Sequence, residues 1–501
     1  MDIAQAKINL VEPKIQSSKT YFTNVVSNFK AHQENDYSDF DYEALVPKML
    51  SKQGPAFAIG DVNNDGLDDV FMGGAFNQSG LLYLQNKMGA FTLSNFTTEA
   101  TFEDTCAAFI DIDNDKDLDL VVGSGGNFKE ARTGVRVYLN NGKGHFGDYK
   151  IIAHVSENIA TLAAYDFDND GDTDLFVASV SLLGVYGMNP ENLLLENDGK
   201  GNFTDVTNSK APETKNIGMT TDVLWQDMDG DGLKDLVLVG EWLSPAIFKN
   251  NGSKLIKLAS DLDKISGDFN CVKAADVDND GDMDLILGNR GDNSFYKADT
   301  NHVAKMFVND FDNNGTVEQI FTRNINGKDV PVHLLRELRA QINTPLIKNI
   351  TYSDYAKITI DELFPKAILD QSLVKICNTF QSLIVLNNKG HFSAKPLPAS
   401  AQMSTINNIT ILDINKDGNL DLITTGNNYN YKPQYTRQDA SYGDVFFGDG
   451  KGNFTWQSNQ STGFFVRGQA NDMVLLNANK NAKYILVGLN NDFPQLFKIN
   501  E

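Results

Sequence analysis

Short apolar runs recur along the chain, separated by polar turns of repeated composition. LVVG (120–123), LFVA (175–178), LVLV (236–239) and LILG (285–288) are examples. They are too short for helices and rich in β-branched residues, so they predict strands. Each follows an acidic turn. A second set runs apolar, then Asn/Gly-rich, then opens on Phe: LLYLQNKMGAF (81–91), VYLNNGKGHF (137–146), LLENDGKGNF (194–203), IVLNNKGHF (384–392) and VFFGDGKGNF (445–454). Asn-Gly between apolar strands predicts a tight hairpin. The repeating unit is therefore four strands. Strand A leads through an acidic loop to B, an upper loop to C, and an Asn-Gly turn to D. Four-stranded units of about 50 residues in radial array make a single all-β propeller. Counting C strands, with the final QLFKIN (495–500) included, gives eight blades. The short interval between the fifth and sixth acidic loops allows seven.

Residues 1–19 read as an N-terminal extension and 20–501 as the propeller. The chain ends on a C strand, and YFTNVVSNF (21–29) resembles the D strand NFTDVTNS (202–209). Residues 20–30 are thus expected to supply the last blade's missing strand and remove an exposed edge. One stretch breaks the period. HLLRELRAQI (333–342) and SDYAKITIDELFPKAILDQ (353–371) have helical spacing, predicting a helical insertion over 327–378 in blade six.

The acidic turns share a nine-residue pattern, D-x-[DN]-x-[DN]-G-x-x-[DE]. The copies are Asp61, Asn63, Asp65, Asp69; Asp111, Asp113, Asp115, Asp119; Asp166, Asp168, Asp170, Asp174; and Asp227, Asp229, Asp231, Asp235. They continue with Asp276, Asp278, Asp280, Asp284; a looser Asp310, Asp312, Asn314, Glu318; and Asp413, Asn415, Asp417, Asp421. Oxygens at positions 1, 3 and 5 of a tight turn converge on one point. Gly at position 6 takes the positive-φ bend, and the acid at position 9 closes the site. All-oxygen ligation suits a hard cation, and Ca²⁺ tolerates this flexible coordination better than Mg²⁺. Up to seven Ca²⁺ are expected. An EF-hand is excluded, because position 12 is apolar or Thr in every copy and the flanks are strands. Lys116 replaces Gly in the second loop and must adopt a left-handed conformation. A degenerate copy at Asn477, Asn479 and Asn481 predicts no ion.

Composition narrows the class. The chain of 501 residues has 43 basic and 66 acidic side chains, for a net charge of −23. Unneutralised, each carboxylate cluster repels itself, and nucleic-acid binding is disfavoured. With 31 Phe and 16 Tyr there is ample core. No apolar run spans a membrane, and the three Cys have no zinc spacing.

Acidic loops of this form followed by L-x-N-x-G-x-G-x-F hairpins resemble FG-GAP/VCBS-type propellers, as in integrin α-subunit heads and many bacterial surface proteins. KAHQENDYSDF (30–40), GPAFAIGDVNNDG (54–66) and YTRQDASYG (435–443) resemble, more narrowly, propeller regions of large bacterial proteins related to cartilage acidic protein. The resemblance implies a calcium-binding propeller that is secreted, periplasmic or on the cell surface, with the leader absent from this sequence. Such blades serve adhesion, assembly and catalysis alike.

In a propeller the upper loops converge on one face. Aromatic and charged residues there, Trp242, Tyr429, Tyr431, Tyr435 and Arg437, suit stacking and hydrogen bonding to a protein or glycan partner. Arg132 and Tyr186 lie in other upper loops. Arg290-Gly291-Asp292 reads as a turn. The main reading is a binding or scaffold module. The alternative is a calcium-dependent polysaccharide lyase, since some rhamnogalacturonan lyases are also Ca-rich propellers. A lyase needs a cationic cluster, for which the chain offers only Arg132, Arg290 and Arg437. His32, in KAHQEND, is the histidine to watch.

Overall fold

A computed structural model of the chain describes residues 20–127, 131–478 and 482–500. The expected extension, residues 1–19, lies outside them. Each blade is an antiparallel sheet, and in the first six the strands follow chain order from the inner strand outward. In blade one these are Phe57–Gly60, Asp69–Met72, Leu81–Gln85 and Phe91–Thr97. The remaining inner strands are Glu103–Ile110, Glu157–Tyr165, Met219–Gln226, Gly267–Ala275, Ile406–Leu412 and Ala470–Asn477. Each packs beside the next, and the last packs beside the first.

The ring therefore has seven blades, the smaller of the two counts that the sequence allows. Packing enforces that number. One apolar cluster fills each interface between neighbouring blades, all the way round. The inner strands are largely half-buried, whereas the second strands are buried on both faces, as in Leu175, Phe176, Val177 and Ala178. That explains why their sequence runs are continuously apolar.

One of the eight units counted from sequence, that of the sixth acidic loop, is not in the ring. Its strands Ala304–Asn309, Glu318–Ile325, Lys328–Pro331 and Leu373–Cys377 form a separate sheet. This sheet lies between the second and third strands of blade five, Asp284–Asn289 and Leu383–Asn388. The insertion thus belongs to the upper connection of blade five, not blade six, and it begins well before residue 327. The helical spacing is real but produces five short helices: Leu335–Gln341, Pro345–Asn349, Tyr352–Tyr355, Ile360–Leu363 and Lys366–Gln371. Their apolar faces, with Leu338, Ile347 and Leu363, cover Phe311 and Ile320 of the inserted sheet.

Phe22–Val25 pairs antiparallel with Gln495–Ile499, placing the start of the described chain at the outer edge of blade seven. Phe22 is buried against Phe464, with ring centroids 5.2 Å apart, in a cluster with Ile485 and Phe497. Phe22→Ala is expected to cost about 3–5 kcal/mol, read by denaturant unfolding. A loss below about 1 kcal/mol would show that the first strand does not brace the ring.

Candidate metal loops and a closed upper face

All seven acidic loops have the same backbone. The position-one carboxylate accepts N–H bonds from the turn, as Asp166 does from Asp170 (3.1 Å) and Gly171 (3.0 Å). Position six has positive φ throughout, from 75° at Lys116 to 96° at Gly171 and Gly281. Position four does too, usually as Asn: Asn64, Asn114, Asn169, Asn279 and Asn313. Two left-handed residues per loop explain the alternating D-x-D-N-D-G chemistry, since Asn and Gly tolerate that conformation best.

The position-nine acid does more than close the loop. In the ring blades it is buried, and it accepts two backbone N–H bonds. One comes from position two of its own loop, as from Phe167 to Asp174 (3.1 Å). The other comes from the end of its C strand, as from Asn197 to Asp174 (2.8 Å). The same pair recurs at Asp69, Asp119, Asp235, Asp284 and Asp421. The hairpin asparagine then reaches across to the preceding blade. Asn140 donates to Val62 O (2.8 Å), Asn197 to Ile112 O (2.8 Å), Asn250 to Phe167 O (2.8 Å) and Asn387 to Met228 O (3.0 Å). The N of the L-x-N-x-G motif is therefore an inter-blade latch, which sequence reasoning assigned only to the turn.

Five loops bring three carboxylates together with one oxygen from each within 4.8 Å of the others: Asp111, Asp113, Asp115; Asp166, Asp168, Asp174; Asp227, Asp229, Asp235; Asp276, Asp278, Asp284; and Asp310, Asp312, Glu318. The loops at 61–69 and 413–421 have Asn63 and Asn415 at position three. The sixth loop sits on the inserted sheet, away from the ring. Asn479 and Asn481 lie outside the described residues, and Asn477 donates its backbone and side-chain N–H groups to Asp68.

The donor set fits a bound cation. Oδ1 of Asp113, Asp168, Asp278 and Asp312, all at position three, is buried without a hydrogen-bond partner, as is Asp111 Oδ1. A buried unpartnered carboxylate oxygen is costly, and a hard cation is the partner that several such oxygens share. Loop four differs. Lys249 Nζ contacts Asp229 and lies 3.1 Å from Asp231, so its own ammonium competes for that position.

Burial pushes Asp69, Asp119 and Asp174 up to about 7 and Asp235 and Asp284 to about 6. The two N–H bonds oppose the shift, and the neighbouring loop carboxylates add to it. Glu318 is raised to about 7 by the same burial.

The upper face is closed rather than open. Trp242, Tyr431 and Tyr435, expected as exposed stacking residues, are buried, as is Tyr186. Trp242, Tyr435 and Tyr186 pack under the inserted sheet, in one cluster with Met306, Phe321 and Phe380, and Tyr431 lies by the Arg290 guanidinium. Of the expected ligand residues, Tyr429 is half-buried and Arg437 exposed, with the guanidinium 3.4 Å from the Tyr429 ring centroid.

The cause of closure is a pair of acids. Glu241 and Asp268 face each other across neighbouring strands of blades four and five, both about 1% exposed. Two buried like charges require cations. Lys48, from the segment crossing the upper face before blade one, lies 2.6 Å from Glu241. Arg290, from the start of the insertion, pairs with Asp268 and sits among the rings of Tyr296, Phe380 and Tyr431. Arg290 is thus an interior residue and not part of an exposed tripeptide. Neither Lys48 nor Glu241 stood out in the sequence, although a Glu closing the apolar run LVLVG was the available signal. His32 is buried with its pKa lowered to about 4 by burial, which makes it a packed neutral imidazole.

The family comparison agrees with the repeat architecture. The FG-GAP-like repeat matches residues 61–122, 111–177 and 227–287, so the chain carries repeats of this type. No curated protein matches in sequence. Among solved structures, the V. cholerae biofilm matrix protein Bap1 aligns over 94% of this chain and 91% of its own, at 11% identity and a TM-score of 0.38. YCF48 bound to D1 peptide aligns over 94% of this chain and 98% of its own, at 7% identity and 0.41. No helix among the described residues is long and apolar enough to cross a membrane.

The raised carboxylates make a pH prediction. Without divalent ions the folded chain holds protons at position nine that the unfolded chain has released above about pH 4. This contribution to stability is present at low pH and is lost as pH rises through about 6–7. Metal-free protein should therefore melt lower at about pH 7.5 than at about pH 5.5. A melting temperature that instead rises over this window would contradict the assignment.

Proposed function

We propose that this propeller of FG-GAP-like repeats is a calcium-braced binding and scaffold module that works outside the cytosol and engages a protein or glycan partner. The observation that carries the reading is the set of buried, unpartnered position-three oxygens on rigid loops. Each loop joins strands A and B of its sheet, so an ion there ties the turn to the blade. The loops at positions one, three, five and nine would hold the ion, and the ion would supply charge neutralisation. Extracellular calcium modules bind with Kd of about 10⁻⁴–10⁻³ M. Such sites fill at the calcium levels of secreted and surface compartments, and this supports export.

The lyase alternative needs cations converging on a substrate. Arg290 is buried on Asp268, Arg132 lies over Phe102 and donates to Thr101, and Arg437 lies over Tyr429. Each is committed to its own neighbours, which favours binding over turnover. The middle of the upper face is filled by Lys48 and the inserted sheet, so a partner there would meet the remaining rim, near Tyr429 and Arg437.

Thermal unfolding with about 1 mM Ca²⁺ and with chelator tests this. Chelation should lower the melting temperature by about 10 °C or more, and Asp278→Asn should reduce the Ca²⁺-dependent gain. An unchanged melting temperature would overturn the calcium reading. Unsaturated product released from a polysaccharide panel would replace binding with lyase activity.

A further inference from the structure

An open cavity of about 790 Å³ lies on the side of the ring, next to the first acidic loop, where Gly144 N–H donates to Val62 O (2.9 Å). It is a groove between the outer strand of blade one and the C–D hairpin of blade two. Its floor is aromatic. Phe96 and Phe146 have ring centroids 4.8 Å apart, Phe96 and Tyr138 5.3 Å, and Tyr138 and Tyr149 5.8 Å. Phe96, Phe146 and Tyr149 are only half-buried, so part of each ring faces solvent.

The groove exists because both bordering strands leave regular register. In blade one, Leu81 pairs with Thr97 but Tyr83 with Leu93, so residues between Leu93 and Thr97 bulge outward. In blade two, Asn140 bridges Phe146 but Val137 pairs with Lys150, which displaces 147–149. The matching hairpins of blades three and six run without a break, from Asn197 opposite Phe203 and from Gly448 opposite Phe454. Bulges re-aim side chains and often mark functional edges. Here they swing Phe96 and Tyr149 toward one gap. Polar groups border it. Asn95, Lys143, Asp148 and the Tyr149 hydroxyl line the cavity, and their side chains have no hydrogen-bond partner among the described residues.

We infer that the groove between blades one and two is a binding site for a neutral oligosaccharide. The inference rests on the reading of the chain as a binding module and names its ligand class. Pyranose faces stack on partly exposed rings, and sugar hydroxyls both donate and accept, matching the mixed rim of Lys143, Asn95 and Asp148. A polyanion is disfavoured by Glu99 and Asp148 in the lining and by the net charge of −23. An added peptide strand is disfavoured as well. The bulged edge offers no ladder, since Phe96 N–H is taken by Ser94 Oγ (3.0 Å) and Glu99 N–H by Tyr138 Oη (3.2 Å).

The test uses the full chain with Ca²⁺, titrated calorimetrically with neutral tetrasaccharides of glucose, mannose, galactose and N-acetylglucosamine. At least one should bind with Kd below about 1 mM. Tyr149→Ala, and separately Lys143→Ala with Asp148→Ala, should weaken it about tenfold or more. Lys143 and Asp148 are exposed, so the second variant keeps the fold. Tyr442→Ala, at the exposed Tyr442–Phe465 stack of blade six, should leave affinity unchanged. No binding by any of the four sugars would overturn the inference. Binding indifferent to the groove variants, or lost with Tyr442→Ala, would overturn it too. The calcium-dependent melting shift, measured on the same samples, shows separately whether the module reading stands.

Discussion

A buried carboxylate at the end of each acidic loop organises the ring. Asp174 and its counterparts accept one N–H from their own turn and one from their own C strand. The residue giving that second N–H is, in blades two to five, the asparagine whose side chain reaches the preceding blade. Loop, blade and inter-blade contact are thus joined at one point. Burying a charge is costly, and two charge-assisted hydrogen bonds offset only part of that cost, as the raised pKa values of these acids record. The remaining charge is what a cation would answer. An ion held there would join loop and blade packing in a single device.

The second constraint is also an acid pair. Glu241 and Asp268 sit at the top of blades four and five, where the B strand of one blade runs on to meet the A strand of the next. Neutralising them draws Lys48 and Arg290 inward, and with them the crossing segment and the insertion. Trp242 and Tyr435 join the apolar seal beside this charge cluster, and the Tyr431 ring lies against Arg290. The face that propellers commonly leave open is here built into the core, and half-exposed aromatic surface is left instead on the side wall between blades one and two.

Much of this was legible in the sequence. Strand type, the four-strand unit, the acidic loops and the closing strand follow from periodicity and turn chemistry, because each is set by local residues. Blade number did not follow. The sheet carrying Asp310 and Glu318 has the loop and strands of a blade, and only its place between Asp284–Asn289 and Leu383–Asn388 shows that it is an insertion. Exposure of the upper-loop aromatics was equally out of reach. A tyrosine in a long polar loop reads the same whether it faces solvent or, like Tyr435, is buried with Met306 and Phe321 of an inserted sheet. Non-local pairing decides such cases. The latch role of Asn197 and Asn250 was hidden for the same reason, since the turn and the neighbouring blade use the same side chain.

The central claim is that divalent ions complete the acidic loops and so brace the ring. Native mass spectrometry of the full chain, stripped of metal and then given Ca²⁺, counts the ions directly. The account predicts discrete additions for at least the loops of Asp113, Asp168, Asp278 and Asp312, whose position-three carboxylate has one buried oxygen without a hydrogen-bond partner, with Asp278→Asn lowering the count. A chain that takes up no Ca²⁺ while remaining folded would contradict it.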